Sequence, residues 1–173
     1  GYGDYIFSIS RLNCAKRVGL LIDAMAHTHS SVKCKIAGQG EELAALRCLA
    51  CERGVEDRVE FLGFVSDQEA LDLYAGAFAV YYAPYDEDYG LATVEAMKSQ
   101  KPVITADDSG GVLEFVEDEK TGLIAPAGDA VEMARCIDRL YEDRGLAERM
   151  GAAAQASVAS ITWDVTIDRL LRV

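Results

Sequence analysis

The 173-residue chain has little of several features that mark common classes of protein. Positive charge is scarce, because 17 Lys and Arg stand against 29 Asp and Glu, a formal net charge of −12. Such a field repels polyanions, which makes nucleic acid and anionic lipid poor candidate partners. No apolar run approaches the roughly 18 residues of a transmembrane segment, and the chain starts with neither a basic leader nor a methionine. The sequence therefore predicts a soluble segment of a longer polypeptide.

Histidine is also scarce, and the cysteines do not have the regular spacing of a disulfide framework. The sequence has two histidines, His27 and His29, and five scattered cysteines. Cys48 and Cys51 have C-x-x-C spacing, but they fall inside a predicted helix and no second pair accompanies them, so ordinary helix cysteines are favoured and no metal site is predicted. An odd number of cysteines in a chain long enough to form its own core favours a reducing, cytoplasmic setting.

Short β-branched or aromatic runs recur along the chain and predict six strands. Between them lie segments with a one-sided apolar stripe at helical spacing, and after Gly128 the pattern is helical to the end, with a break near Gly151. Alternating strands and helices with short connections predict a single α/β domain over residues 1–173, a doubly wound six-stranded parallel sheet with helices on both faces. The predicted strands are Tyr5–Ser10, Lys33–Ala37, Val59–Leu62, Phe78–Tyr82, Val103–Ala106 and Gly122–Ala125.

Local signals mark several helix ends. Ser66 and Asp129 each precede a glutamate by three residues, the spacing of a capping box, and Gly54 and Gly76 are candidate helix stops. The last stretch, from Thr162, carries an apolar set that packs either on its own sheet or against a partner domain. That set consists of Trp163, Ile167, Leu170 and Leu171.

Open parallel sheets bind ligands beyond the carboxyl ends of their strands, so the residues that follow each predicted strand are candidates for a site. Arg11, Lys16 and Arg17 follow the first strand, and Gly38 follows the second. A basic group in an acidic protein suits a phosphate ligand. A solvated loop whose charges pair with neighbouring carboxylates is an equally weighted alternative.

The stretch from Glu87 to Glu95 is more specific. If a helix begins near Gly90, its first amides lie unpaired at the positive end of the helix dipole and form an anion site. Glu95 is then expected to lean toward the apolar face, where it either binds ligand hydroxyls or pairs with Lys98. Two acids beside a basic loop indicate a ligand that bears both phosphate and a diol.

Taken together, these elements resemble the C-terminal, sugar-donor-binding domain of a GT-B fold retaining glycosyltransferase of family 4, the glycosyl transferases group 1. The resemblance covers nearly the whole chain and depends on the order and spacing of its elements. This sequence departs from many members at Asp88, where glycine is common, and in Asn13-Cys14-Ala15, which replaces a frequent Pro and Glu. The matching elements are Ser10-Arg11-Leu12 with Lys16, Ala37-Gly38-Gln39-Gly40-Glu41, Arg58, Phe61-Leu62-Gly63-Phe64-Val65, Glu87 through Tyr89-Gly90-Leu91 to Glu95-Ala96-Met97, Pro102-Val103-Ile104, Ser109-Gly110-Gly111 and Thr121–Asp129.

The resemblance implies a nucleoside-diphosphate sugar as donor substrate, with no cofactor and no metal. Arg11 and Lys16 would hold the diphosphate and stabilise its charge as the glycosidic bond breaks, and Glu87 would contact the sugar, so these three are the implied catalytic residues. Phe64 and Val65 would lie beside the base. The complete set of implied substrate-binding residues is Gly38, Phe64, Val65, Asp88, Tyr89, Gly90, Leu91 and Glu95, the last on the ribose hydroxyls.

The family's full enzyme also has an N-terminal acceptor-binding domain in the same polypeptide, which this chain lacks. The expected function is therefore the sugar-donor half of a retaining, metal-independent hexosyltransferase. The stretch Tyr85-Asp86-Glu87-Asp88-Tyr89-Gly90 resembles mannosyltransferases of polysaccharide or lipopolysaccharide assembly. The isolated domain is expected to be inactive, because it cannot orient an acceptor. The full-length protein is expected in the cytoplasm, peripheral at the inner face of the membrane.

Three other classes of protein are alternatives to this interpretation. A nicotinamide-dependent dehydrogenase would carry G-x-G-x-x-G after the first strand, where this chain has Ser10 to Asn13. A receiver-like signalling domain would place an aspartate at the end of the third strand, which is occupied by Leu62 and Gly63. A non-catalytic nucleotide-binding or sensing module stays open, because binding residues alone do not establish turnover.

Overall fold

The computed structural model describes residues 2–161 of the chain. The apolar set predicted within residues 162–173 lies outside the described residues.

All six predicted strands are present, and all pair in parallel. The strand order is β3-β2-β1-β4-β5-β6, so the direction of winding reverses between β1 and β4. The prediction of a doubly wound six-stranded parallel sheet is confirmed. Ligand sites in such sheets lie at the carboxyl ends of the two strands where the order reverses. The strands are β1 Tyr5–Ile9, β2 Lys33–Ala37, β3 Val59–Gly63, β4 Ala79–Tyr81, β5 Val103–Ala106 and β6 Gly122–Ala125.

Helices cover both faces of the sheet and form an apolar layer on each. One layer contains buried side chains from α1, α2 and α5, packed on strand residues such as Ile6 and Ile104. The other contains side chains from α3, α4 and α6, packed on Phe7 and Val80. The helices are α1 Val18–His27, α2 Leu43–Glu52, α3 Asp67–Gly76, α4 Leu91–Lys98, α5 Ala130–Glu142 and α6 Arg144–Ser157, and short 3-10 turns lie at Cys14–Lys16 and Gly111–Glu114.

The helix-start signals are confirmed. The Ser66 hydroxyl accepts from the Glu69 amide, and the Ser66 amide donates to the Glu69 carboxylate at 2.7 Å, which is a complete capping box at the start of α3. The Asp129 carboxylate accepts from two amides of the first turn of α5, each at 3.0 Å.

The predicted break near Gly151 is wrong. The helix α6 runs through Gly151 without interruption, and the break lies eight residues earlier, at Asp143. A β-carbon at Gly151 would lie 2.1 Å from the Gln100 carbonyl oxygen. Glycine is therefore required here for close packing of the helix on the loop before β5, and it does not end the helix.

Candidate functional site

A cleft of about 380 Å³ opens between the carboxyl ends of β1 and β4. It lies where the winding direction of the sheet reverses. Seven of the residues that the sequence singled out meet in its wall, although they come from two loops far apart in the chain. The lining residues are Ile9, Ser10, Arg11, Lys16, Tyr82, Glu87, Asp88, Tyr89, Gly90, Leu91 and Ala92.

A lysine, a glutamate and a tyrosine meet at the centre of this cleft. The Lys16 ammonium pairs with Glu87 Oε2, and it also donates to the Tyr82 hydroxyl oxygen at 3.2 Å. The Tyr82 hydroxyl donates in turn to the same Glu87 oxygen at 2.8 Å. Lys16 lies in the loop after β1, whereas Tyr82 and Glu87 lie in the loop after β4, so the contact joins the two sides of the cleft.

These contacts keep Lys16 and Glu87 charged. Burial opposes the charge of Lys16, but the hydrogen bonds with Glu87 and Tyr82 outweigh it and the pKa of Lys16 is raised. The hydrogen bond from Lys16 lowers the pKa of Glu87, although partial burial opposes this. Desolvation raises the pKa of Tyr82, so its hydroxyl remains a neutral donor at neutral pH.

The three cations of the first loop have different environments. The Arg11 side chain is exposed and has no charged or hydrogen-bonding partner within residues 2–161. Arg17 is instead fully engaged: its guanidinium forms two hydrogen bonds with Asp108, at 2.8 and 2.6 Å, and donates to the carbonyls of Ala83 and Pro84 at 2.8 and 2.9 Å. Arg11 and Lys16 therefore face the cleft, whereas Arg17 holds the loops after β1, β4 and β5 together.

The loop that carries Glu87 is fixed by backbone contacts with the loop after β5. The Asp86 amide donates to the Asp108 carbonyl at 3.1 Å, and the Gly111 amide donates to the Glu87 carbonyl at 2.6 Å. A β-carbon at Gly110 would lie 2.6 Å from that same carbonyl oxygen. Glycine is therefore needed for the close approach that sets the position of Glu87.

The helix α4 starts at the cleft from Gly90, which has φ +69°. The Thr93 amide donates to the Gly90 carbonyl at 2.8 Å, but within the described part of the chain the Leu91 and Ala92 amides have no acceptor. Free amides at the positive end of a helix dipole attract an anion. They face the same cleft as Lys16 and Arg11.

The prediction that Glu95 leans toward the apolar face is wrong. Its side chain is exposed and does not lean toward the apolar face. The pair with Lys98 is also not formed, because Lys98 donates to the Ile161 carbonyl, and Glu95 Oε2 accepts instead from the Tyr74 hydroxyl at 3.1 Å. Packing on the sheet sets the rotation of this eight-residue helix, whose buried residues are Thr93, Val94, Ala96 and Met97.

Three predicted residues lie on the same edge of the sheet but outside the cleft wall. Phe64 and Val65 follow β3, two strands from β1, which is roughly 10 Å away at the usual strand spacing. Phe64 is 75% exposed, and Val65 is partly buried against one apolar layer. The Gly38 amide donates to the Gly63 carbonyl at 2.7 Å, and a β-carbon at Gly38 would lie 1.8 Å from the Ser10 carbonyl oxygen.

Sequence reasoning missed several residues of the site. For Tyr82 the sequence favours strand packing over a role in lining a site, and it does not single out Tyr74. The hydroxyl oxygens of Ser10 and Thr93 are buried near the cleft and have no hydrogen-bond partner among the described residues. Such orphan groups are uncommon in folded proteins and offer hydrogen bonds to a ligand or to water.

Residues 2–161 contain neither a candidate metal site nor a candidate membrane span. No group of three or more His, Cys, Asp or Glu side chains there could hold a metal ion. No helix in that range combines the length and the apolar character needed to cross a bilayer. All five cysteines are free thiols.

A doubly wound parallel sheet with a charged cleft where its winding reverses defines a Rossmann-like ligand-binding domain. The sequence profile of the family "Glycosyl transferases group 1" matches residues 3–157. The chain belongs to that family, as its motifs predicted. The solved structures on which it superposes are GT-B glycosyltransferases, so the predicted fold class is confirmed as well.

Relatives with assigned activities are similar over most of this chain. The D-inositol 3-phosphate glycosyltransferase of Nocardia farcinica is 35% identical over 127 residues, which is 73% of this chain and 28% of that protein. The alpha-D-kanosaminyltransferase of Streptomyces kanamyceticus is 33% identical over 170 residues, or 95% of this chain and 44% of that protein. The chain thus spans less than half the length of either relative.

Two solved structures superpose closely. Anabaena Alr3699/HepE, crystallised in complex with UDP and glucose, has a TM-score of 0.87 and 31% identity over 98% of this chain and 47% of its own. Staphylococcus aureus TarM has a TM-score of 0.91 over 99% of this chain and 36% of its own. At 24% identity, TarM shows the fold alone.

Proposed function

We propose that this chain binds a nucleoside-diphosphate sugar, as the sugar-donor half of a retaining, metal-independent hexosyltransferase. The observation that carries the proposal is the meeting of Arg11, Lys16, the free amides of α4 and Glu87 in one cleft where the sheet reverses its winding. The similarity to HepE, which binds UDP and glucose, supports the same ligand class.

In this proposal the cations and the helix terminus hold the diphosphate. Arg11 and Lys16 bind its oxygens, and the Leu91 and Ala92 amides add neutral donors beside Gly90. These groups stabilise the charge that grows on the leaving diphosphate as the glycosidic bond breaks, and they need no proton transfer to do so. Because two side-chain charges and a helix dipole supply this stabilisation, a divalent metal is not required.

The remaining predicted residues contact the other parts of the ligand. Glu87 accepts from hydroxyls of the sugar, with Asp88 and Tyr89 beside it in the cleft wall. Glu95, one helical turn after Leu91, accepts from the ribose hydroxyls. The base extends across the sheet edge toward the end of β3, where the exposed aromatic ring is available for stacking. The residues assigned to that side are Gly38, Phe64 and Val65.

The first expected result is that nucleoside diphosphate binds without divalent metal. Calorimetric titration of this chain with UDP, GDP and ADP should give the same affinity for the preferred ligand in the presence of Mg²⁺ and of EDTA. Thermal shift with the same panel identifies the base, because a ligand that binds the folded state raises its melting temperature. Affinity abolished by chelation would contradict metal independence, and absence of binding by all three would contradict the proposed function.

The two glutamates should differ when they are replaced. Glu95→Gln should weaken free nucleoside diphosphate and its sugar conjugate alike, by about 1.5 kcal/mol, since both carry the ribose. Glu87→Gln should reduce only the additional affinity of the sugar conjugate. Because Glu87 pairs with Lys16, its replacement also frees the ammonium, so the affinity for free diphosphate should be unchanged or higher.

Titration of both variants with UDP and with UDP-glucose measures this difference, and GDP and GDP-mannose form a second pair of ligands. Glu69→Gln is a matched control, because Glu69 is a capping glutamate away from the cleft. If Glu95→Gln spared the free diphosphate while Glu87→Gln weakened it, the two roles would be wrongly assigned.

The whole enzyme would need an acceptor-binding domain in the same polypeptide. This chain alone is expected to bind the sugar donor without transferring the sugar, because orientation of the acceptor supplies much of the rate. We propose that the full-length protein transfers a hexose in the assembly of a polysaccharide or lipopolysaccharide, and mannose is the first sugar to test. We also propose that it is a cytoplasmic protein that lies peripherally at the inner face of the membrane. Cell fractionation of the full-length protein tests that location.

A radiochemical assay with labelled GDP-mannose and UDP-glucose should detect at most slow hydrolysis by this chain and transfer by the full-length protein. Transfer by this chain with an added acceptor would contradict the expected inactivity. Binding without hydrolysis or transfer by the full-length protein would favour a non-catalytic sensing module.

A further inference from the structure

Each of the two glutamates assigned to the ligand accepts a hydrogen bond from a buried tyrosine. The Tyr82 hydroxyl donates to Glu87 Oε2 at 2.8 Å, and the Tyr74 hydroxyl donates to Glu95 Oε2 at 3.1 Å. Tyr82 and Tyr74 are only 7% and 2% exposed. The two phenols come from different parts of the fold, the loop directly after β4 and the helix α3.

Packing holds both phenol rings in place. Tyr74 packs edge-on against Phe7 of β1, with ring centroids 5.1 Å apart and an angle of 87° between the planes. The Tyr82 ring lies against Gly90, where a β-carbon would approach its Cε1 atom to 3.3 Å. Two rigid donors at fixed positions can set the orientation of flexible carboxylates, which is what a preorganised binding site needs.

Each tyrosine engages one carboxylate oxygen and does not engage the other. Lys16 and Tyr82 both approach Oε2 of Glu87, and Tyr74 approaches Oε2 of Glu95. The tyrosine therefore does not occupy Oε1 of Glu87 or of Glu95, and that oxygen can accept a hydrogen bond from another donor, such as a ligand hydroxyl. Without the phenol, the exposed Glu95 side chain would have to lose its rotamer freedom when the ligand binds.

We infer that Tyr74 and Tyr82 are positioning residues for two separate parts of one ligand. Tyr74 orients Glu95 toward the ribose, and Tyr82 orients Glu87 toward the transferred sugar. When the diphosphate draws Lys16 away from Glu87, the Tyr82 hydroxyl continues to hold the carboxylate. This inference rests on the proposed function. It predicts that the two hydroxyls affect the free diphosphate and its sugar conjugate differently, which a role in packing alone would not produce.

Removal of each hydroxyl by Tyr→Phe substitution tests this, because the ring and its packing are retained. Tyr74→Phe should weaken UDP and UDP-glucose equally, by about fivefold, and leave their affinity ratio unchanged. Tyr82→Phe should leave UDP within about twofold and lower the UDP-glucose to UDP affinity ratio by about fivefold. Tyr5→Phe is the control, because the Tyr5 hydroxyl donates to the Leu73 carbonyl at 2.7 Å and touches neither glutamate. GDP with GDP-mannose replaces the uridine pair if the guanosine ligand is the one that binds.

Double-mutant cycles separate positioning from general loosening of the fold. In a Glu87→Gln background, Tyr82→Phe should cause no further change in the affinity ratio, and Tyr74→Phe should likewise cause none in a Glu95→Gln background. Equal weakening of both ligands by Tyr82→Phe, or full additivity in either cycle, would overturn the inference. If the unmodified chain bound none of UDP, GDP and ADP, the proposed function would fail and this inference with it, whereas binding unaffected by both tyrosine variants would overturn this inference alone.

Discussion

Replacement of Lys16 by methionine is expected to weaken nucleoside diphosphate binding by about 3 kcal/mol, roughly a 100-fold rise in Kd. Two effects add. The ligand loses a charge-assisted hydrogen bond, and the Glu87 carboxylate loses the ammonium that neutralises it and is left beside the diphosphate. Arg11→Met should have about half this effect in kcal/mol, because the exposed Arg11 side chain has no carboxylate partner within residues 2–161 to leave behind.

Calorimetric titration of UDP, GDP and ADP measures this loss. The double variant Lys16→Met/Glu87→Gln should recover part of it, since the second change removes the unpaired carboxylate. Lys33→Met is a matched control: Lys33 pairs with Asp4 at 3.0 Å at the opposite end of the sheet, and its loss should leave the affinity unchanged. Small and equal losses for Arg11→Met, Lys16→Met and Lys33→Met would indicate a solvated loop in place of a phosphate site.

Replacement of Arg17 by methionine is expected to destabilise the domain by about 3 kcal/mol, which lowers Tm by roughly 6 to 12 °C in a chain of this size. The Arg17 side chain is only 18% exposed, and its guanidinium joins the loops after β4 and β5 through Ala83, Pro84 and Asp108. Its removal leaves two carbonyls and a carboxylate without their donor. In contrast with Lys16, the effect should appear in folding and only secondarily in ligand affinity.

Arg139→Met provides the control for this second prediction. Arg139 also forms two hydrogen bonds with one carboxylate, that of Glu119, but the two side chains are 48% and 56% exposed. Exposed pairs contribute little, so a loss of at most about 1 kcal/mol is expected. Urea unfolding of the three proteins measures the difference, and a loss for Arg17→Met no larger than that for Arg139→Met would contradict the role of Arg17 as a structural clamp.

The same variant should change how stability depends on pH. The hydrogen bond from Arg17 holds the pKa of Asp108 below its ordinary value in the folded state. A carboxyl whose pKa is lower folded than unfolded stabilises the protein above the unfolded pKa, and this contribution is lost as pH falls through the folded pKa. The unfolding free energy should therefore fall less between about pH 7 and pH 3 in Arg17→Met than in the unmodified chain.

Most of the fold could be predicted because its signals are local. Each buried parallel strand appears as a short apolar run, and the caps at Ser66 and Asp129 are short-range hydrogen bonds whose spacing is visible in the sequence. The error at Gly151 shows the limit of such signals. A glycine can end a helix or permit close packing, and only the position of the Gln100 carbonyl, from a distant loop, distinguishes the two.

The candidate site was predictable as a set of residues at one edge of the sheet, but not as a set of contacts. The sequence placed Lys16, Arg17 and Glu87 there because carboxyl ends of parallel strands share an edge. It gave no means to pair Lys16 with Glu87, 71 residues away, or Arg17 with Asp108, 91 residues away. Only the tertiary structure therefore shows that Arg17, one of the three cations of the first loop, holds the loops together and does not face the cleft.

By itself the sequence determined the period of each element, the polarity of each segment and the family, since these depend on neighbours within a few turns or on the order of motifs. The tertiary structure alone decided the strand order, which brings β1 beside β4 and so creates the cleft. It also decided the rotation of α4, which exposes Glu95 to solvent and to the Tyr74 hydroxyl. The physical reason is that strand order and helix rotation minimise the free energy of packing over the whole sheet, a sum of long-range contacts that no local stretch of sequence contains.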